Sequence, residues 1–303
     1  TIFDVAREAG VSYATVSRVI NNKDHVKPDK RERVLRAMTR LGYVVNQQAR
    51  SLAGGKSQVV GLVVPGLDTS YIGEIIRGID EELSNASYDL MLYTTHRRKA
   101  RESTFVATLT QGLADGLLLV LPRDPGAYIE TLRRRRFPFM MIDHQGVDEH
   151  GPSVGATNRR GGYTATRHLL ELGHRRIGFI TGTLDLGCSI DRLAGYQDAL
   201  AEFGVVFDPA LVREGDFAQP DGFQGARELL ELPEPPTAIF ASNDLMAFGV
   251  MDAVRDCGLR IPGDISVIGF DDIPQTTHVH PTLTTVRQPL EQMGRIATRM
   301  LLE

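Results

Sequence analysis

Two rhythms of apolar residues divide this chain. Over the first 42 positions they recur every three or four residues: Val5, Ala6 and Ala9, then Val16, Val19 and Ile20 with the side of Ala14 left open, then Val34, Leu35, Met38 and Leu41. That spacing predicts three short amphipathic helices. Local signals agree with it. Thr1 followed by Asp4 is a capping-box-like start, Gly10 stops the first helix, Ser12 is placed to cap the second, Pro28 suits the first turn of the third and Gly42 ends it. Two helices joined through Gly10-Val11-Ser12 make a helix-turn-helix, a motif whose second helix enters the major groove and meets base edges with its N-terminal residues. Tyr13, Ser17 and Arg18 point away from the apolar side of that helix.

From residue 58 the rhythm changes. Apolar runs at 59–65, 88–95, 116–122, 137–143, 176–182, 238–244 and 265–272 are bounded by Gly, Pro or Asp, and helical patterns such as IGEIIRGIDEELSNA and RRGGYTATRHLLELG lie between several of them. Unbroken apolar strands alternating with helices predict parallel sheets covered on both faces. Several runs end in polar residues: Asp143, Asn243-Asp244 and Asp271-Asp272. Open α/β sheets bind ligands beyond the carboxyl ends of their strands, so these side chains are expected to converge on one cleft.

Charge sharpens the division. Residues 1–56 hold eleven Lys or Arg against five Asp or Glu, although the whole chain has a net charge of −4. A basic head on an acidic body points to a polyanion as partner of the head alone, because Lys and Arg neutralise phosphates and release counterions. At 303 residues and 42% hydrophobic composition the chain has room for two or three domains. Two distant cysteines, Cys188 and Cys257, give neither a disulfide framework nor metal-ligand spacing. With no apolar run of about 18 residues and no secretory signal, a cytoplasmic protein without a membrane partner is expected. Gly55-Lys56-Ser57 lacks the upstream glycine of a phosphate-binding loop, Arg50 standing in its place, and His278-x-His280 has no third ligand nearby. The run Arg133 to Arg136 reads as a solvated helix end. Nothing points to catalysis, a cofactor or a metal.

The segment DVAREAGVSYATVSRVINN resembles the opening of the LacI/GalR family of bacterial transcription regulators. By matched position, the resemblance makes Tyr13, Ala14 and Arg18 the base readers and gives Ser12, Thr15, Ser17 and Asn21 to phosphates. An Arg can grip guanine through O6 and N7, while hydroxyls and amides hold the backbone. The stretch NQQARSLAGGK is similar to the family's hinge helix, with Asn46, Ala49, Arg50 and Leu52 in the matched places and Val45 where the family usually has Pro. Leu52 is the candidate wedge that enters the minor groove, or alternatively a dimer-packing residue.

The body also resembles this family, through ELGHRRIGFITG, DRLAGYQDAL, AIFASNDLMAFGVMDAVRDCGLRIPGDISVIGFDD and PTLTTVRQP. The implied fold is an N-terminal all-α helix-turn-helix head followed by a two-lobed α/β effector domain resembling periplasmic sugar-binding proteins. The implied domains are 1–45 for DNA binding, 46–57 for hinge and linker, and 58–303 for effector binding and dimerisation. The first lobe takes about 58–157 and 286–303, the second about 158–285. The family pattern continues beyond Glu303, so the last helix is expected to be incomplete. Matched positions give Tyr71, Ile72, Asp143, Arg192, Phe217, Asn243 and Asp271 as effector contacts. These types suit a sugar: carboxylates, an amide and a guanidinium satisfy adjacent hydroxyls, and a ring covers the apolar face. For Asp143 and Asp271 helix capping is the competing role, and for Phe217 a place in the core. The loop LDTSYIGE departs from the family's N-P-F-(F/Y), so ligand preference does not carry through it.

The expected protein is a homodimeric repressor of carbohydrate genes, binding double-stranded operator DNA and released by a mono- or disaccharide. A co-repressor-type regulator that tightens on DNA with a purine or other small ligand is the alternative, and a sugar-binding transport protein a more distant one.

Overall fold

The computed structural model describes residues 1–20, 26–43, 56–67, 69–123, 125–144 and 151–303. They fall into two compact units, Thr1–Ser57 and Gln58–Glu303. The hinge residues Asn46, Ala49, Arg50 and Leu52, with Val45, lie outside the described residues, as does Asn21.

In the first unit α1 (Ile2–Ala9), α2 (Tyr13–Ile20) and α3 (Pro28–Arg40) close a small core of Val5, Ala6, Ala9, Val16, Val19, Val34 and Ala37. Thr1 and Asp4 form the capping box, Gly10 ends α1 in the left-handed conformation at φ 62°, and the Ser12 hydroxyl accepts the Thr15 amide at 3.3 Å. Glu8 of α1 and Arg40 of α3 pair at 2.9 Å. Leu35 and Leu41, expected inside, are exposed. The buried line of α3 runs through Val34 and Ala37, and Leu35 lies about 100° round the helix from Val34. Ala14 is exposed as well.

The second unit holds two parallel sheets of one topology. In order along the chain come β1 (Val59–Val64), α4 (Ser70–Asn85), β2 (Asp89–Thr94), α5 (Lys99–Leu109), β3 (Gly116–Val120), α6 (Gly126–Arg134), β4 (Phe139–Ile142) and the two-residue β5 (Ser153–Val154). These strands lie side by side as β2-β1-β3-β4-β5. The second lobe follows with α7 (Asn158–Glu171), β6 (Ile177–Thr181), α8 (Gly187–Glu202), β7 (Val212–Glu214), α9 (Gln219–Leu230), β8 (Ala238–Ala241), α10 (Asp244–Asp256), β9 (Ser266–Asp271) and β10 (Thr284–Arg287). Its order, β7-β6-β8-β9-β10, repeats the first, and α11 (Leu290–Leu302) returns to the first lobe. In each sheet the strand order reverses at its founding strand, the place where doubly wound folds bind ligands.

Burial explains the unbroken apolar runs. Along β1, Val60, Leu62 and Val64 face α4 and α11, while Val63 faces α5 and α6. In the second sheet Phe179, Phe240 and Phe270 pack on α7 and α8, and Ile180, Ile239 and Ala241 on α9 and α10. β5, β7 and β10 were not visible as apolar runs, being two to four residues long and only partly buried.

Three helix pairs approach closely through reciprocal glycines. A Cβ on Gly162 of α7 would stand 2.4 Å from the Arg192 carbonyl oxygen of α8, and one on Gly195 of α8 would stand 2.0 Å from the Arg159 carbonyl oxygen of α7. Gly222 and Gly249 relate α9 to α10 in the same way, and Gly78 and Gly294 relate α4 to α11.

Candidate effector cleft and nucleic-acid interface

The carboxyl ends of both sheets turn sharply into one cleft. Arg97, Leu121, Asp143, Phe217 and Asp271 line it, and all five hold left-handed backbone, at φ 59°, 48°, 55°, 61° and 117°. Non-glycine residues persist there only where their surroundings over-determine them, and such positions gather at ligand clamps. Tyr71, Ile72, Arg192 and Asn243 also line this cleft, so it brings together all seven effector residues expected from the sequence. Its empty volume, mouth included, is about 720 Å³.

A hydrogen-bonded chain crosses it. Buried Arg192, in α8, donates from Nε to the Asn158 side-chain oxygen at 2.8 Å. The Asn158 amide donates to Asp143 Oδ1 at 3.2 Å, and the Tyr71 hydroxyl donates to Asp143 Oδ2 at 2.7 Å. Burial, reinforced by the Asp143 charge, pushes the Tyr71 hydroxyl well above its ordinary value, so it remains a donor. The Arg192 guanidinium also donates to the Ser242 carbonyl and sits over the Phe270 ring, 3.9 Å from its centroid. Its distance to Asp271 Oδ1 is 4.0 Å. That is the limit of an ion pair and leaves both groups turned to the cleft. Burial pushes the Asp271 carboxyl well above the usual carboxylate range, with Arg192 opposing the shift. Gln288 donates to Asp271 Oδ1 at 2.7 Å and fixes its rotamer.

Asn243 serves the backbone on two sides. Its oxygen accepts the Met246 amide at 2.9 Å, capping α10, and its amide holds the Phe217 carbonyl at 3.0 Å. Phe217 therefore stands fixed in its loop with its ring against Gly182, where a Cβ would come within 2.0 Å of it. Neither Asp143 nor Asp271 caps a helix; Asp143 accepts from Tyr71 and Asn158, and Asp271 accepts from Gln288 beside it at the end of β10. Behind them Asp244 accepts from Thr285 and from the Ile273 amide, and burial raises its carboxyl to about 7.

Sequence reasoning missed Asn158, Gln288, Arg97 and Arg123. The two arginines follow directly on β2 and β3, so the rule that ligands sit beyond strand ends marks both positions. Nothing in the sequence pattern singles out Asn158.

On the first unit Ser12, Tyr13, Ala14 and Arg18 are exposed, and Thr15 and Ser17 half-buried. Ser12 and Thr15 are also joined through their hydroxyls at 3.0 Å. The Tyr13 ring stacks on Phe3 of α1, centroids 5.2 Å apart and planes 21° from parallel, and both rings are solvent-exposed. Phe3 is a further residue the sequence pattern did not mark.

A helix-turn-helix head with an open face at the start of its second helix, on a chain whose body closes a polar cleft between two lobes, defines a DNA-binding regulator governed by a small ligand. Comparison with known proteins gives the particular family. Residues 1–46 match the model described as bacterial regulatory proteins, lacI family, and residues 166–303 match a periplasmic binding protein-like domain. The chain is 35% identical over 302 residues to catabolite control protein A of Priestia megaterium, covering 99% of this chain and 91% of that one. Among solved structures it is similar to the lac repressor dimer bound to operator and the anti-inducer ONPF, at 32% identity and TM-score 0.87 over 100% of this chain and 91% of the other. It is also similar to the transcriptional regulator CelR–cellobiose complex, at 35% identity and TM-score 0.73 over 100% and 92%. The chain belongs to the lacI family of bacterial regulatory proteins and is a transcription regulator.

Proposed function

We propose that this regulator represses carbohydrate genes as a cytoplasmic homodimer, with Tyr13, Ala14 and Arg18 reading operator bases and Ser12, Thr15 and Ser17 holding phosphates. A saccharide in the cleft releases it. The observation that carries the proposal is the cleft itself: Arg192, Asp143 and Asp271 offer a buried guanidinium and two buried carboxyl groups to ligand hydroxyls, beside the apolar ring of Phe217. Tyr71, Ile72 and Asn243 complete the surface that the ligand meets. That combination recognises a polyol with one apolar face. The cellobiose of the CelR relative is a ligand of this chemistry. Two heads on a near-palindromic operator follow from two-fold pairing.

The test has two steps. A thermal-shift screen of mono- and disaccharides, cellobiose and ribose included, identifies a ligand that raises the melting temperature by mass action. That sugar is then titrated in an electrophoretic shift assay on an operator selected from random-sequence DNA. Loss of the shifted band is expected, with sugar affinity lowered in the presence of operator by the same factor. A ligand that strengthens the band makes the protein a co-repressor-type regulator, and a sugar recovered chemically changed makes it an enzyme.

A further inference from the structure

The cleft mouth is closed by a contact that the effector chemistry leaves unexplained. Arg97, in the turn after β2, reaches Asp216 through its Nη1, 3.2 Å from Oδ2 and hydrogen-bonded to the Asp216 carbonyl. Arg123, in the turn after β3, donates from Nη2 to Asp216 Oδ1 at 2.7 Å. Both arginines belong to the first lobe and line the cleft; Asp216 belongs to the second. Exposure rises outward, from 14% for Arg123 and 26% for Arg97 to 46% for Asp216, so the bridge runs from the cleft lining to solvent.

Each side of the bridge is held in place. His96 and Arg97 have φ of 50° and 59°, and the Arg97 amide donates to the Pro65 carbonyl at 3.0 Å. The Arg123 amide donates to buried Glu102 at 3.1 Å. Opposite them the Asp216 and Ala218 amides both donate to Asp221, at 3.1 and 3.4 Å, and between them sits Phe217. The residue whose ring lines the cleft is thus the immediate neighbour of the residue that ties the lobes. Movement of one carries the other.

We propose that the Arg97–Asp216–Arg123 bridge is the gate of the effector cleft: it ties the two lobes through protein contacts alone, so it must part whenever a ligand enters or leaves, and it favours ligands short enough to be enclosed behind it. The proposal rests on this cleft being the effector site, but its opening can be read without knowing the effector. Cys188 lines the cleft and is 2% exposed, whereas Cys257 is exposed on α10's far end. Burial pushes the Cys188 thiol up to about 12, which keeps it unreactive until the lobes part.

The experiment labels the full chain, without ligand, with iodoacetamide and follows both cysteines by peptide mass spectrometry. Cys257 is expected to react promptly in the wild type and in the Asp216 and Arg123 variants, and Cys188 slowly in the wild type. In Asp216→Asn the Cys188 rate is expected to rise about three- to tenfold, the scale set by losing two partly exposed ion pairs. Arg123→Gln gives a smaller rise and Asp216→Glu restores the slow rate. Arg227→Gln, which loses surface ion pairs to Glu231 and Asp256 away from the cleft, serves as the control for general loosening. A wild-type Cys188 rate in Asp216→Asn overturns the gate, as does a rise of equal size in Arg227→Gln. An unchanged gate with no saccharide ligand found overturns only the sugar assignment.

Discussion

Asn243 was expected from the sequence as a ligand contact, yet both ends of its amide are engaged by the protein. It caps α10 and anchors the carbonyl of Phe217. Asn243→Asp separates these duties, since an aspartate caps as well but cannot donate. Its melting temperature is expected to stay near that of the wild type, while the unpaired Phe217 carbonyl frees the ring and weakens effector binding about tenfold, measured by calorimetry. Equal losses in both measurements would make the cap the whole of its role. Asp244 carries a pH signature. Its folded-state value of about 7 lies above the ordinary 3.8, so the folded chain holds this proton more tightly than the unfolded chain. The stability it contributes is full below about pH 4 and is lost as pH rises through about 7. Urea midpoints of Asp244→Asn should therefore gain on the wild type between pH 5 and pH 8. At this scale Asp143 and Asp271 were legible because each ends an apolar run, whereas Arg192, inside α8, was marked only by the family resemblance. The left-handed backbones of Asp143, Phe217 and Asp271 were not, since no glycine or asparagine marks them.

At the scale of elements, the site depends on how closely α7 and α8 approach. Asn158 opens α7 and Arg192 rides on α8, and Gly162 lies against the backbone of Arg192 itself. Gly162→Ala is expected to cost about 1–3 kcal/mol by overpacking, seen in thermal melts, and to lower effector affinity by moving Arg192 off Asn158. A change in stability with affinity intact would detach the crossing from the site. Seven strands were readable from the sequence because both faces of each sheet are covered, which leaves no alternation to confuse with helix. β5, β7 and β10 were not readable: short edge strands with partly exposed side chains carry little pattern. The third helix of the head shows the opposite error, because Leu35 and Leu41 are apolar by composition but stand outside the buried line.

For the whole molecule, the division between a basic head and an acidic body was plain in the charges, and the two rhythms of apolar residues separated its two units. The repetition of one strand order in both lobes was hidden, because it arises from pairing between distant segments. The return of the chain to the first lobe with α11 carries no signal in the apolar pattern either, and was expected only through the family resemblance. Leu290, Met293 and Ala297 of α11 share a core with Val60 and Leu62 of β1. Chains are made from the N-terminus, so the ribosome finishes the second lobe before it supplies the helix that covers β1, β3 and β4. The first lobe thus waits with one face covered by α4 alone while more than a hundred later residues are added, a window in which a chaperone can recognise it. Folding order and synthesis order run in opposite directions here: the lobe begun first is the last to be completed.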